Sequence, residues 1–223
     1  YWHAFAQVIL QGADALAYAH EQGTLHRDIK PSNLLLDRDG VLWIADFGLA
    51  KAVEHDGITR PGDVVGTLRY MAPEQLRGQS DPRSDIYSLG LTLYEMLTGQ
   101  PAFDAAGRTG LVEAIMRGDL ARPRLLRAGI PRDLETIVLK CVALHPEDRY
   151  RSARALANDL ECFLEDRPIL ARRVSALEQT WRWARRNPAV ATLVGLSAVL
   201  LLTVAIVSSV AYFQTRSANQ KTQ

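Results

Sequence analysis

Cysteine is scarce: Cys141 and Cys162 are the only two in 223 residues, and they lack metal-ligand spacing. That excludes a disulfide framework and a structural zinc site, and leaves two free thiols suited to a reducing cytosol. Net charge is nearly absent as well. Twenty-six Lys and Arg stand against 25 Asp and Glu, a balance of +1 that selects no partner by overall charge. There is no leader peptide ahead of the first helical pattern, no internal repeat and no low-complexity tract. The chain opens on Tyr1 rather than Met and is read as a piece whose N-terminal part lies upstream. What is present fits a globular protein, with 48% hydrophobic and 23% charged residues, but the apolar residues are unevenly spread.

Residues 4–22 read as a helix, because Phe5, Val8, Ile9, Gly12, Leu16 and Ala19 recur at three- and four-residue steps and Gly23 supplies a stop. Two short apolar runs follow, Leu34 to Leu36 and Val41 to Ala45, and Asp37-Arg38-Asp39-Gly40 between them is hairpin chemistry. Residues 46–74 have weak periodicity and are read as a long ordered loop, a length that signals function. Helical patterning returns at Ser84 to Thr98 and closes at Gly99. Further helices are expected at 108–117, 131–144 and from Ala153 to Glu165, the last with Ser152 as N-cap.

The densest chemistry lies in three segments. His26-Arg27-Asp28-Ile29-Lys30-Pro31-Ser32-Asn33 comes first, Asp46-Phe47-Gly48 begins 13 residues after Asn33, and Gly66-Thr67-Leu68-Arg69-Tyr70-Met71-Ala72-Pro73-Glu74 follows. Each tripeptide alone is a weak signal, but three such motifs in this order at workable spacings are specific. Together they resemble the eukaryotic-type protein kinases over residues 1 to about 166.

Physical chemistry gives the same residues work to do. Phosphoryl transfer needs a carboxylate near the acceptor hydroxyl, metal ligands near the phosphates and a cation to offset developing charge. Asp28 and Asn33 lie five residues apart on one loop and can face one cleft. Asp28 is the candidate base for the acceptor proton. Asn33 offers a neutral carbonyl oxygen and Asp46 an anionic one, both hard donors suited to Mg²⁺. Gly48 allows a sharp backbone turn just past Asp46.

The resemblance implies further roles. Lys30 would reach the transferred phosphate. Leu35 would lie beneath adenine, although a Leu on a strand is equally explained as core. His26 would pack on Phe47 as a structural ring. Arg27 next to Asp28 resembles kinases switched by activation-loop phosphorylation, with Thr59 and Thr67 as regulatory hydroxyls and Thr67 placed to touch the catalytic loop. Asp85 would hold the catalytic-loop backbone, or stand as a helix N-terminal charge. Glu74 and Arg149 resemble a buried ion pair that ties the activation segment to the lower lobe. Lys30-Pro31-Ser32-Asn33 and Gly66-Thr67 look like Ser/Thr rather than Tyr kinases.

The glycine-rich loop and lysine strand of that family's N-terminal lobe are not in this sequence. The expected fold is therefore mainly α: a kinase-like C-terminal lobe with a short β-hairpin and no N-terminal β lobe, plus one transmembrane helix. The membrane element is read from Ala189 to Phe213, 25 residues without a charge, thirteen of them Leu, Ile, Val or Phe. At helical rise the run spans about 37 Å. Arginines at 167, 172, 173, 182, 185 and 186 precede it and favour a cytoplasmic kinase lobe touching anionic lipid rather than nucleic acid.

The organisation expected is kinase lobe 1–166, basic juxtamembrane linker 167–188, span 189–213 and a short extracytoplasmic stub 214–223. The function expected of the parent protein is a cell-membrane Ser/Thr kinase using ATP and Mg²⁺ on protein substrates, with association of two copies left open and little activity expected from these 223 residues alone. The alternative is a catalytically silent scaffold, because the upper lobe is missing.

Overall fold

The computed structural model describes residues 1–47, 66–105 and 107–171, together with Thr192 and Thr203. The chain divides into two compact units, Tyr1–Arg173 and Val174–Gln223. Of the second, only Thr192 and Thr203 are described, each exposed and in helical conformation.

Helix α1 (Trp2–Glu21) buries Ala6, Ile9, Ala13, Leu16 and Ala17, the three- and four-residue stripe that the sequence displays. A 3₁₀ turn (Pro31–Asn33) leads into β1 (Leu34–Leu36), which pairs antiparallel with β2 (Leu42–Ile44). The register sets Leu34 opposite Ile44, Leu35 opposite Trp43 and Leu36 opposite Leu42. Asp37 shapes the turn between the strands, its Oδ1 accepting from the backbone N–H groups of Asp39 and Val41 at 2.9 Å each. Gln11 of α1 clamps the hairpin: its Nε2 donates to Gly40 O at 3.0 Å and its Oε1 accepts from Leu42 N at 2.9 Å.

Helix α2 (Pro82–Thr98) is the centre of the unit. Its start is a capping box in which the Asp81 side chain accepts from Arg83 N and Ser84 Oγ accepts from Asp81 N, with Pro82 at the first helical position. It ends at Gly99 with φ +79°, a left-handed turn that a side chain would strain. Every residue from Ser84 to Tyr94 is buried, so this helix has no solvent face over three turns. Its hydroxyls are satisfied internally: Ser88 Oγ donates to Tyr70 O at 2.7 Å and Thr92 Oγ1 to Ser88 O at 3.1 Å. Gly90 is required for close approach, because a Cβ there would stand 2.4 Å from Cys141 Cβ.

The remaining helices are α3 (Gly107–Arg117), a short α4 (Pro123–Leu126), α5 (Arg132–Cys141) and α6 (Ala153–Leu164). Both α1 and α5 pack on α2 and on α6. The Ser152 side chain caps α6 by accepting from Ala155 N. Asp159, fully buried, accepts from Tyr150 Oη and from the backbone N–H groups of Leu170 and Ala171, which ties residues 170–171 to α6. Cys141 is buried and Cys162 half-buried, both free, and burial pushes each thiol above its ordinary value.

Two expectations change. The helix read over 131–144 stops at Cys141, and the turn α4 appears where none was expected. The larger correction concerns fold class, which included a transmembrane helix. Among the described residues no helix is long and apolar enough to cross a membrane. The fold is mainly helical with a short two-stranded sheet among the described residues. An uncharged run shows that leaving water is favourable. A span further requires a continuous helix that satisfies its own backbone in lipid, and residues 189–213 lie outside the described residues apart from Thr192 and Thr203.

Candidate active site

The segment from His26 to Asn33 runs between α1 and β1 and is pinned from below by α2. Asp85, 1% exposed on α2, accepts from His26 N at 2.9 Å, from Arg27 N at 2.7 Å and pairs with His20 Nε2 at 2.8 Å. These contacts hold Arg27 at φ +69°, a conformation that costs a bulky residue roughly 1–3 kcal/mol and persists only when its surroundings impose it. Gln75 adds a further hold, donating from Nε2 to Arg27 O at 3.2 Å. Among the described residues the buried Arg27 Nε has no hydrogen-bond partner.

Beyond that strained residue the side chains converge. Asp28 Oδ2 lies 2.9 Å from Lys30 Nζ, and Lys30 Nζ also donates to Thr67 Oγ1 at 3.0 Å. Asn33 is buried and turns its amide nitrogen toward Asp28, donating to Asp28 O at 2.8 Å and Oδ2 at 3.1 Å. Among the described residues its amide oxygen has a single long contact, 3.4 Å from Ser32 Oγ, which leaves capacity for a stronger partner.

Asp46 follows β2. Its approach is fixed by Ala45, whose N–H donates to Asn33 O at 2.9 Å and whose carbonyl lies 2.8 Å from His26 Nε2. Asp46 itself is exposed with φ +63°, a left-handed conformation that Asp tolerates better than most residues. The rings of His26 and Phe47 meet edge-on at 4.5 Å. Asp28, Asn33 and Asp46 are thus carried by backbone segments that are hydrogen-bonded to one another.

Leu35 is 53% exposed on β1, so it is not a core residue, and its cross-strand neighbour Trp43 is 62% exposed. Thr67 faces Lys30, whereas Thr59 and Gly48 lie outside the described residues.

Buried Arg149 and half-buried Glu74 form a bidentate pair with N···O distances of 2.7 and 2.9 Å. The remaining guanidinium donors reach Ala143 O, Arg83 O and Leu144 O, so each of the five N–H groups has an acceptor. Ser84 Oγ donates to Glu74 Oε1 at 2.7 Å, and the guanidinium lies 4.6 Å above the Tyr87 ring. Burial works to raise the Glu74 pKa, but hydrogen bonds from Arg149 and Ser84 outweigh it and hold the carboxyl below its ordinary value.

Several working residues carry no motif. Gln75, Ser84 and His20 act through single long-range hydrogen bonds, and only Ser84 announces itself, through the Asp81-Pro-Arg-Ser capping pattern.

Asn33 and Asp46 supply an amide oxygen and a carboxylate, the hard donor types that a divalent cation such as Mg²⁺ takes. Among the described residues no group of three or more His, Cys, Asp or Glu could hold a metal alone. Mg²⁺ does not ask for one, since it binds through one or two protein oxygens and takes the rest from phosphate and water.

A catalytic loop braced by a buried aspartate, a lysine beside the candidate base and a buried Glu–Arg tie define a kinase-type domain. The chain belongs to the protein kinase domain family, whose sequence model matches residues 3–160. It is 40% identical over 157 residues to serine/threonine-protein kinase PknB of Mycobacterium tuberculosis, covering 69% of this chain and 25% of that protein. It is 39% identical over 175 residues to serine/threonine-protein kinase PknL of the same species, covering 78% of this chain and 44% of that protein. Tyrosine-protein kinase MasK of Myxococcus xanthus is 43% identical over 169 residues, 72% of this chain and 26% of that protein. The chain spans from about a quarter to under half the length of these relatives.

Proposed function

We propose that this chain is the catalytic-loop half of a protein Ser/Thr kinase, which moves the terminal phosphoryl group of ATP to Ser or Thr hydroxyls of proteins. The observation that carries the reading is the convergence of Asp28, Lys30 and Asn33 on one braced loop, with Asp46 delivered beside them by β2. Asp28 orients the acceptor hydroxyl and takes its proton. Lys30, already 2.9 Å from Asp28, meets the charge that develops on the transferred group. Asn33 Oδ1 and the Asp46 carboxylate would hold Mg²⁺, which when bound neutralises phosphate charge and orients the nucleotide. Leu35 and Trp43 offer exposed apolar surface for a base.

Arg27 suits control by phosphorylation, because its Nε is buried and, among the described residues, has no hydrogen-bond partner. Thr59 is then the regulatory hydroxyl, since Thr67 is engaged by Lys30. A cytoplasmic setting, contact of the arginine-rich stretch 167–187 with anionic lipid and association of two copies belong to the same reading and rest on sequence alone. No observation among the described residues favours a silent scaffold.

The test is phosphate incorporation from labelled ATP into a general protein substrate, followed by phosphoamino-acid analysis, with Asp28→Asn as control. Phosphoserine and phosphothreonine, lost in the variant, are expected. Equal incorporation by both proteins would overturn the role of Asp28. Phosphotyrosine alone would reassign the acceptor, a pointed outcome given the name of the Myxococcus relative.

A further inference from the structure

Beside the Asp28–Lys30 pair lies an open cavity of about 470 Å³, lined by Lys30, Pro31, Ser32, Gly66, Thr67, Arg69 and Tyr70. Among the described residues its lining holds two cations and no carboxylate. The carboxylates that face those cations, Asp28 and Asp104, are not part of the wall. The two cations are held differently. Lys30 is engaged twice, by Asp28 and by Thr67, with only 22% of its side chain exposed. Arg69 has one ion pair, Nη2 to Asp104 Oδ1 at 3.0 Å, with Asp104 76% exposed and Arg69 34% exposed. A pair this wet is weak and open to exchange.

We propose that Arg69 is a specificity-determining residue that selects protein substrates bearing an acidic side chain close to the acceptor Ser or Thr. The inference rests on the kinase reading above. An acceptor hydroxyl that reaches Asp28 lays its flanking residues along this cavity, and a carboxylate there meets the Arg69 guanidinium in place of Asp104. The exchange conserves the ion pair on Arg69 and frees an aspartate that is already solvated, so an acidic segment gains while a basic one meets Lys30 and Arg69 as like charges.

The experiment uses the full chain and a set of peptides with one central Thr, in which each flanking position carries Asp, Ala or Lys in turn. Both kcat/KM and binding by fluorescence anisotropy are measured. At the position that meets Arg69, the Asp peptide should exceed the Ala peptide by about three- to fivefold in both readouts. The gain should fade in high salt. Arg69→Ala should bring the ratio near one, and Arg69→Glu should invert it toward Lys. Should Arg69→Ala fail to fold, as judged by circular dichroism, Asp104→Asn decides: releasing Arg69 should raise the Asp preference by about twofold. A wild-type chain without acidic preference, a preference that survives Arg69→Ala, or an unmoved ratio in Asp104→Asn overturns the proposal. Absence of transfer to every peptide counts against the kinase reading alone, because anisotropy reports selection without turnover.

Discussion

Two ion pairs of similar length do opposite work in this molecule. Arg149 and Glu74 meet at 2.7 Å with side-chain exposures of 0% and 12%, and each guanidinium N–H is matched to an oxygen. Lys30 and Asp28 meet at 2.9 Å with exposures of 22% and 23%, at the edge of an open cavity. The first is complete and has no capacity to take a ligand. The second is less complete: among the described residues the Asn33 amide oxygen has only a 3.4 Å contact, the Arg27 Nε has no hydrogen-bond partner, and Asp46 is exposed. The lobe thus separates a closed polar network that fixes geometry from an open one that, on the reading proposed above, meets substrate. Between them stands α2, which carries Asp85 to the catalytic loop and Ser84 to the Glu74–Arg149 pair.

The comparison predicts that damage to the open pair appears in rate and damage to the closed pair in stability. Asp28→Asn should lower kcat by about 10²- to 10⁴-fold while shifting unfolding free energy by only about 0–1 kcal/mol. Phosphate incorporation and urea denaturation measure the two. Arg149→Ala should do the reverse, destabilising by about 3–5 kcal/mol because Glu74 is left half-buried without its cation. A loss below about 1 kcal/mol in urea would break the contrast.

Gly90→Ala should cost about 1–3 kcal/mol by driving a methyl group into Cys141. Its thermal melting point is the check. A pH effect is the smallest expected. The fold holds the Glu74 carboxyl below the ordinary 4.5, so the pair contributes fully above that value and is lost as pH falls through the lower folded value. Melting points of wild type and Glu74→Gln should therefore converge as pH drops below 4.5. A gap that stays constant with pH would remove the charge from the account.

How far the sequence carries these distinctions depends on the range of the interaction. Periodic burial made α1, α2 and α6 legible, and Asp37 to Gly40 marked the hairpin, because these are local effects of spacing and turn chemistry. Asp28, Lys30 and Asn33 lie within one loop and could be read together. The capping box at Asp81 is also a local signal, although the helix it starts begins two residues earlier than periodicity suggests.

Other features are set by tertiary packing and leave no local mark. Gln75 reaches Arg27 across 48 residues and His20 reaches Asp85 across 65. The φ of +69° at Arg27 is imposed by α2 from outside its own segment. Leu35 reads equally as a residue beneath adenine or as core until it is found 53% exposed on a strand whose sheet, among the described residues, has two strands. Residues 189–213 lie outside the described residues apart from Thr192 and Thr203. An apolar run states a preference for leaving water without stating what receives it, and the described residues contain no membrane-crossing helix.

The central claim is that Asn33 and Asp46 share one cation with a nucleotide in front of Asp28. Thermal unfolding of the wild-type chain in ATP, with and without Mg²⁺, tests it most directly against Asp46→Asn. A melting-point rise that needs both ATP and Mg²⁺, and that disappears in Asp46→Asn, is the result expected. A rise of equal size in Asp46→Asn, or one indifferent to Mg²⁺, would contradict the shared site.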